Sequence, residues 1–502
     1  MTEESFPHRG GSAISTGLAS LDYILQGGYA FNRVHLIEGE PGSGKTTLGL
    51  QFLLDGQSKG ERCLYITLSE SRDELVQVAE THGWDMHGIE IFELVPPELS
   101  LDVDREQSIV YSSDLELGET VRMVMDEVDR VAPSRIVFDS LSEIRLLAQG
   151  PLRFRRQLLA LKHYFAQRHC TALFLDDLTQ TNDDLSLHSL AHGVLRLEQI
   201  ALPYGTERRR LRVYKMRARQ FRGGFHDFVI RPGGLRIFPR LTAGAHPDEG
   251  YANRVATSGI AELDTLTGGG IDYGTSTLVI GPSGSGKTTL TMQYVITALG
   301  RNEHVFFVSF DETERVFMQR AAGLGMDVSE QANHGRFVFR QVDPAEISPG
   351  ELTGLIRRQV EQHGATVVVL DSLSGYQHAM LEEKYLLLQM HEIVTYLNQQ
   401  GVLTFLVLTQ TGMIGTMQSP VDLTYLSDSV MLLRFFESDG DIRRAMSFLK
   451  RRTGPHETTL REFRIDQSGI RVGPKLSGFR GVLTGTPIFE GEERLLKKRS
   501  DD

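Results

Sequence analysis

The chain has 502 residues, with 53 Lys and Arg against 65 Asp and Glu, for a formal net charge of −12. Hydrophobic residues make up 40% and charged residues 24%, ordinary for a globular protein with large cores. No apolar run approaches the ~18 residues of a membrane span, and residues 1–15 lack the apolar stretch of a secretory signal; a soluble, cytoplasmic protein of roughly two or three domains is expected. The acidic total counts against a surface built for nucleic acid. Cys63 and Cys170 are too few for a disulfide framework or a cysteine-based zinc site, and are expected to be reduced and buried.

In chain order, the apolar stretch 34–38 predicts a strand that runs into a glycine-rich loop and a helix. CLYITLS, from Cys63, reads as a second buried strand. Val121, Val124, Met125, Val128 and Val131 recur at helical spacing before a β-branched run that ends in Asp139. A long helix over 154–167, the strand TALFLDDL and shorter strands LRVYKMRA, DFVIRP and LRIF complete the half. Strand and helix alternate, which implies a mostly parallel sheet covered by helices, an α/β fold.

The pattern then starts again. STGLASLD from Ser15 returns as TSGIAELD from Thr257, and GEPGSGKTTL from Gly39 as GPSGSGKTTL from Gly281, both 242 residues on. RIVFDSLS around Asp139 returns as VVVLDSLS around Asp371, 232 residues on. Leu352, Leu355, Ile356 and Val360 predict a helix, 385–399 a second one, and HVFFVSF and LTFLVLTQ buried strands. The period is too long for a solenoid and fits a duplicated domain. The expected organisation is a first domain over 1–245, a second over 246–487 and a charged tail over 488–502. The joint falls in the polar, Gly- and Pro-bearing stretch 240–256.

Both glycine-rich loops match the P-loop pattern G-x4-G-K-T. The candidate ATP-binding residues are Gly42, Ser43, Gly44, Lys45, Thr46 and Thr47, and Gly284, Ser285, Gly286, Lys287, Thr288 and Thr289. Glycines let backbone N–H groups converge on phosphate oxygens at a helix N-terminus. The lysine reaches the β- and γ-phosphates, and Thr46 or Thr288 ligates Mg²⁺. Asp139 and Asp371, each ending a hydrophobic strand, suit the other magnesium position. Acids also end the strand after each P-loop helix, as Ser69-Glu70 and Asp311-Glu312. Glu70, Asp311 and Glu312 are candidates to orient or deprotonate the attacking oxygen.

These marks together resemble the RecA/DnaB-type ATPases, and the doubling resembles the KaiC family of ATPase and autokinase rings linked to circadian timing. More specific marks are SESRDEL…THGW (69–84), KMR (215–217) and LKRRTGPH…LREF (449–463). The resemblance implies two tandem RecA-like P-loop NTPase domains in a homohexamer, with ATP and Mg²⁺ clamped at subunit interfaces. It implies that Lys215 and Arg217, or Lys450, Arg452 and His456, reach the neighbour's ATP. It places the family's paired acceptors at Thr424 and Tyr425, so the second hydroxyl is a phenol here. It also implies a KaiB-like or other signalling partner. The family's paired glutamates read Ser69-Glu70 and Asp311-Glu312, which leaves Glu70 alone in the first domain and shortens the first acid of the second.

Eight basic residues between Arg208 and Arg222 form either a nucleic-acid patch, with Tyr214 and Phe221 to stack, or an interface strand pair, and the second reading is favoured. His188 and His192 lack the glutamate of a zinc motif. Asp176-Asp177, at a strand end, either touches Mg²⁺ or forms a turn, and the turn is favoured; 494–502 reads as a frayed tail. The expected function is an ATP-hydrolysing Ser/Thr autokinase. The alternatives are a nucleic-acid-stimulated motor and a non-kinase ATPase switch that recruits partners.

Overall fold

The structure is a computed structural model. It describes residues 13–94, 113–148, 150–178, 184–202, 204–242, 254–377, 383–410, 423–438, 440–477, 479–482 and 488–489. The expected joint, apart from its ends, and the frayed tail lie outside the described residues. The chain divides into two compact units, Met1–Arg240 and Leu241–Asp502.

In the first unit the main sheet has, among the described residues, nine strands: β1 (Val34–Gly39), β2 (Cys63–Thr67), β3 (Ile89–Glu93), β4 (Arg135–Asp139), β5 (Thr171–Asp177), β6 (Gly193–Ile200), β7 (Arg208–Met216), β8 (Phe225–Arg231) and β9 (Gly234–Phe238). Their order is β9-β8-β7-β6-β1-β5-β4-β2-β3. From β6 to β3 every pair is parallel, and β7 to β9 extend the sheet antiparallel. The second unit repeats this with β10 (Ser276–Gly281), β11 (His304–Ser309), β12 (Phe337–Gln341), β13 (Ala365–Asp371), β14 (Leu403–Thr409), β15 (Ser429–Ser438), β16 (Asp441–Arg451), β17 (Leu460–Asp466) and β18 (Gly469–Lys475).

The central strands are apolar on both sides because helices cover both faces. Leu36, Leu64, Ile136, Phe138 and Phe174 point into one core. Their neighbours Ile37, Tyr65, Val137, Leu173 and Leu175 point into the other. The helix Ser113–Val131 buries Val121, Val124 and Val128 at the expected spacing. Helices Pro151–Gln167, Pro349–Glu361 and Glu383–Gln399 also stand where the periodicity predicts them. Both cysteines are free and buried.

Two of the sequence marks, the recurring lead-in to each P-loop and SESRDEL, are structural. Asp22 accepts hydrogen bonds from the Thr16 N–H and the Ser15 hydroxyl, both at 2.8 Å. Asp264 does the same for Ser258, at 2.7 Å from its N–H and its hydroxyl. Gly28 follows with φ +103°, where a Cβ would stand 2.2 Å from the Ile14 carbonyl oxygen, so the turn requires glycine. Within SESRDEL, Ser71 and Glu74 form a capping box on the helix Arg72–Thr81, an arrangement that contributes about 1 kcal/mol.

Candidate functional site

Each P-loop connects the C-terminal end of a central strand to a helix, Lys45–Ser58 after β1 and Lys287–Gly300 after β10. Gly44 and Gly286 hold φ of 99° and 102° at the helix starts, the left-handed region that turns backbone N–H groups toward one point. A Cβ at Gly44 would press on Ile230, and one at Gly286 on Ile465. The Ser43 and Ser285 hydroxyls are buried without hydrogen-bond partners. Unused donors inside a glycine loop fit a group rich in anionic oxygens.

In the first unit, Lys45 Nζ donates to the carbonyls of Gly39 and Glu40 at 2.9 and 3.0 Å. It also meets Asp177 Oδ1 at 2.7 Å. Thr46 Oγ1 donates to Asp139 Oδ2 at 3.2 Å, and the buried Tyr65 phenol donates to the same oxygen at 2.5 Å. Burial raises the Asp139 carboxyl above its ordinary range, against the pull of those two donors and Lys45. Glu70 stands nearby. Burial, then the charges of Asp139, Glu74 and Asp177, push its carboxyl up to about 7. Its Oε2 is buried without a hydrogen-bond partner. Ser69 beside it is exposed.

In the second unit, Lys287 Nζ donates to the Pro282 carbonyl at 2.9 Å, and burial lowers its ammonium to about 8. Thr288 Oγ1 donates to Asp371 Oδ2 at 2.5 Å. Burial raises that carboxyl to about 6. A hydroxyl paired with a carboxylate is a hard-oxygen set suited to Mg²⁺. Both aspartates precede a cis peptide bond to serine. Asp311 accepts from the Ser372 hydroxyl at 2.6 Å, and its charge acts on Lys287. Glu312 is held instead by two hydrogen bonds from Arg320, at 3.1 and 2.7 Å.

The cations expected to act across an interface stand elsewhere. β7 runs antiparallel to β6, with Met216 opposite Gly193. Lys215 and Arg217 therefore lie at the edge where the parallel strands begin, a strand length of about 20 Å from the P-loop edge. There Lys215 donates to the Ala191 carbonyl at 3.0 Å and Arg217 to that of Ser189 at 2.6 Å. The second unit repeats this, with Arg451 opposite Ser429. Lys450 donates to the carbonyls of Thr424 and Ser427 at 2.7 and 2.6 Å. Arg452 donates to that of Tyr425 at 2.7 Å. The His456 ring packs on Phe448. Thr424 and Tyr425 are exposed, and a cavity of about 470 Å³ beside them is lined by Tyr425, Asp428, Arg452, His391 and Asn398 among others.

The basic stretch 208–222 is not one patch, because β7 carries it across the sheet. Arg208 to Arg210 pair with Ile200 to Glu198, beyond the P-loop end of β1, while Lys215 and Arg217 sit at the far edge. Arg210 is paired with Glu198 at 2.6 Å and lies 3.8 Å from the centre of the Phe225 ring. Phe221 packs against the core rather than standing free to stack.

Three relationships have no local sequence signal. Asp177 is a strand residue bonded to the P-loop lysine, not a turn. Its neighbour Asp176 is buried against Arg145 at 2.6 Å, with its carboxyl raised to about 6 by burial. His188 bonds the fully buried Glu38 at 2.6 Å, with Arg196 3.1 Å from the same carboxylate. Among the described residues no cluster of three or more His, Cys, Asp or Glu is arranged to hold a metal, and no helix is long and apolar enough to cross a membrane.

A duplicated, mostly parallel sheet carrying a complete P-loop and strand-end aspartate in each half defines a tandem P-loop ATPase. The family model described as "ATPase: KaiC" matches residues 14–242 and again 256–477. The chain belongs to the KaiC ATPase family. It is 25% identical over 497 residues to the circadian clock protein KaiC3 of a Synechocystis species, covering 96% of each chain. It is 22% identical over 490 residues to the circadian clock oscillator protein KaiC of a Picosynechococcus species, covering 95% of this chain and 93% of that one. The oscillator protein KaiC of Synechococcus elongatus is 22% identical over 492 residues, with 96% and 92% covered.

Proposed function

We propose that this KaiC-family ATPase is a homohexameric ring subunit that binds ATP and Mg²⁺ between subunits and phosphorylates itself. Lys45 and Lys287 hold phosphate, and Thr46 with Asp139 and Thr288 with Asp371 hold the metal, which offsets charge on the phosphates. In the first domain Glu70 orients the lytic water and takes its proton. In the second, the Thr424 hydroxyl of one subunit attacks the γ-phosphorus of the ATP on its neighbour. The bond to the β-phosphate oxygen breaks, ADP leaves, and Asp311 takes the hydroxyl proton. Glu312, engaged by Arg320, is the less available base.

One observation carries the reading across the interface. Thr424, Lys450 and Arg452 gather at the strand-start edge of their sheet, while Lys287 sits at the strand-end edge. A subunit's acceptor is therefore about 20 Å from its own P-loop, and a second copy supplies the missing side. The kinship with clock proteins supports a role in timing or signalling in the cytoplasm, through a KaiB-like or other partner.

The test is incubation with γ-labelled ATP and Mg²⁺, following free phosphate and label on protein. Label on Thr424 that is lost in Thr424→Ala and in Asp311→Asn is the expected result. Label on Tyr425 would move the acceptor by one residue. Free phosphate without protein label would reject the autokinase and leave an ATPase switch; stimulation by added DNA would point to a motor.

A further inference from the structure

The two P-loop lysines have different companions. Lys45, 7% exposed, is ion-paired to Asp177 at 2.7 Å. The pairing follows from register: Gly39, which opens the P-loop, lies directly opposite Asp177 on β5. In the second unit the equivalent partner of Gly281 is Thr409. Among the described residues no carboxylate lies within 4.0 Å of the Lys287 ammonium, which rests on a backbone carbonyl instead. Arg145 pairs with the neighbouring Asp176 at 2.6 Å. Among the described residues, Lys45 is then the cation that neutralises Asp177.

We propose that Asp177 sets the nucleotide preference of the first site by competing with the γ-phosphate for Lys45. The inference rests on the reading of Lys45 as a phosphate-binding lysine. With ADP in place, the ammonium serves the β-phosphate and keeps its carboxylate. With ATP, the ammonium turns to the terminal phosphate, and Asp177 is left beside like charge in a partly buried site, where repulsion is poorly screened. The carboxylate therefore penalises ATP more than ADP and recovers the lysine when phosphate leaves. Thr409 imposes no such penalty on the second site. Two copies of one loop are thereby given unequal tolerance for the product.

The test is a binding titration of full-length protein with fluorescent ADP and a slowly hydrolysed fluorescent ATP analogue, both with Mg²⁺. Lys287→Ala is the background, so that the first site alone reports. Asp177→Asn and Asp177→Thr are expected to raise affinity for the ATP analogue about tenfold, a single charge contact's worth, with ADP changed less than about twofold. The reverse change, Thr409→Asp in a Lys45→Ala background, is expected to weaken ATP analogue binding at the second site while sparing ADP. Should Asp177→Thr not fold, Asp177→Asn, which keeps the shape, carries the result. An equal change for both nucleotides, or none, overturns the proposal. So does unchanged binding with lost hydrolysis, which would make Asp177 a ligand of water or metal. A parent chain that binds neither nucleotide overturns the phosphate reading of Lys45 itself.

Discussion

Arg320 grips Glu312 through two hydrogen bonds of 3.1 and 2.7 Å, and 242 residues earlier the matching pair is Val78 and Glu70. With valine in the arginine's place, Glu70 has no such partner and its Oε2 lies buried without one. Besides burial, its carboxyl instead feels the charges of Asp139, Glu74 and Asp177, with Lys45 opposing them. If the P-loops hold ATP as proposed, the two halves present different acids to its phosphates, Glu70 in the first and Asp311 in the second. Ser69 removes the acid that Asp311 supplies, and Val78 frees the one that Arg320 restrains.

Installing the restraint should silence the first site. Val78→Arg is expected to draw Glu70 away and lower first-domain phosphate release by about a hundred-fold or more, the scale of losing a positioned base. Nucleotide binding should stay within about twofold. Measuring both in a Lys287→Ala background isolates that domain. Hydrolysis unchanged by the new arginine would remove Glu70 from the chemistry.

The same carboxylate predicts a pH dependence. A base works only when deprotonated, and burial with neighbouring negative charge pushes Glu70 up to about 7. Raising the pH converts the inactive protonated form to the active one, so first-domain hydrolysis should climb between about pH 6 and 8 and then level. Glu70→Gln should lose both the rate and the slope. A flat profile in the parent protein would show that another group takes the proton.

Arg135 provides a test of stability. Its side chain is 1% exposed and is paired with Asp55 at 2.8 Å and Glu61 at 2.6 Å, and it donates to the Phe52 carbonyl at 2.7 Å. It ties the start of β4 to the P-loop helix. Arg135→Ala strips Glu61 of its cation, leaves Asp55 only the more exposed Lys59 at 2.6 Å, and should cost the first domain roughly 3 kcal/mol, read as a lower first transition in thermal unfolding. Val367 fills the equivalent place opposite Val305 in the second unit. Arg135→Val combined with Asp55→Ala and Glu61→Ala should therefore recover most of the loss.

The residues that were legible in the sequence are those whose chemistry is local. A phosphate loop needs its glycines, lysine and threonine within eight consecutive positions, and a strand buried on both faces must be continuously apolar. That suffices to place Lys45, Lys287, Asp139 and Asp371 and to recognise the duplication. What stays hidden depends on register between distant strands. Asp177 reads as a turn until β5 is laid beside β1. His188, noted for its spacing from His192, owes its position to Glu38, 150 residues away. The stretch 208–222, open in sequence to either a nucleic-acid patch or an interface strand pair, is divided because an antiparallel strand carries its ends to opposite edges of the sheet.

That separation of edges gives the sharpest test of assembly. If Lys450 and Arg452 serve the ATP of a neighbour, Lys287→Ala spoils a subunit's own P-loop but leaves its cations intact. Lys450→Ala with Arg452→Ala does the reverse. Each protein alone should lose second-domain phosphoryl transfer. When the two are mixed in equal amounts and allowed to assemble, about a quarter of the interfaces in a random ring combine an intact loop with intact cations. Label from γ-labelled ATP should then return, and only on the subunits that carry Lys287→Ala, because their Thr424 faces the working site. A tag that separates the two chains after labelling reads this directly. Label returning on the other subunit would place the acceptor beside its own P-loop, and none returning would deny that these cations act across an interface.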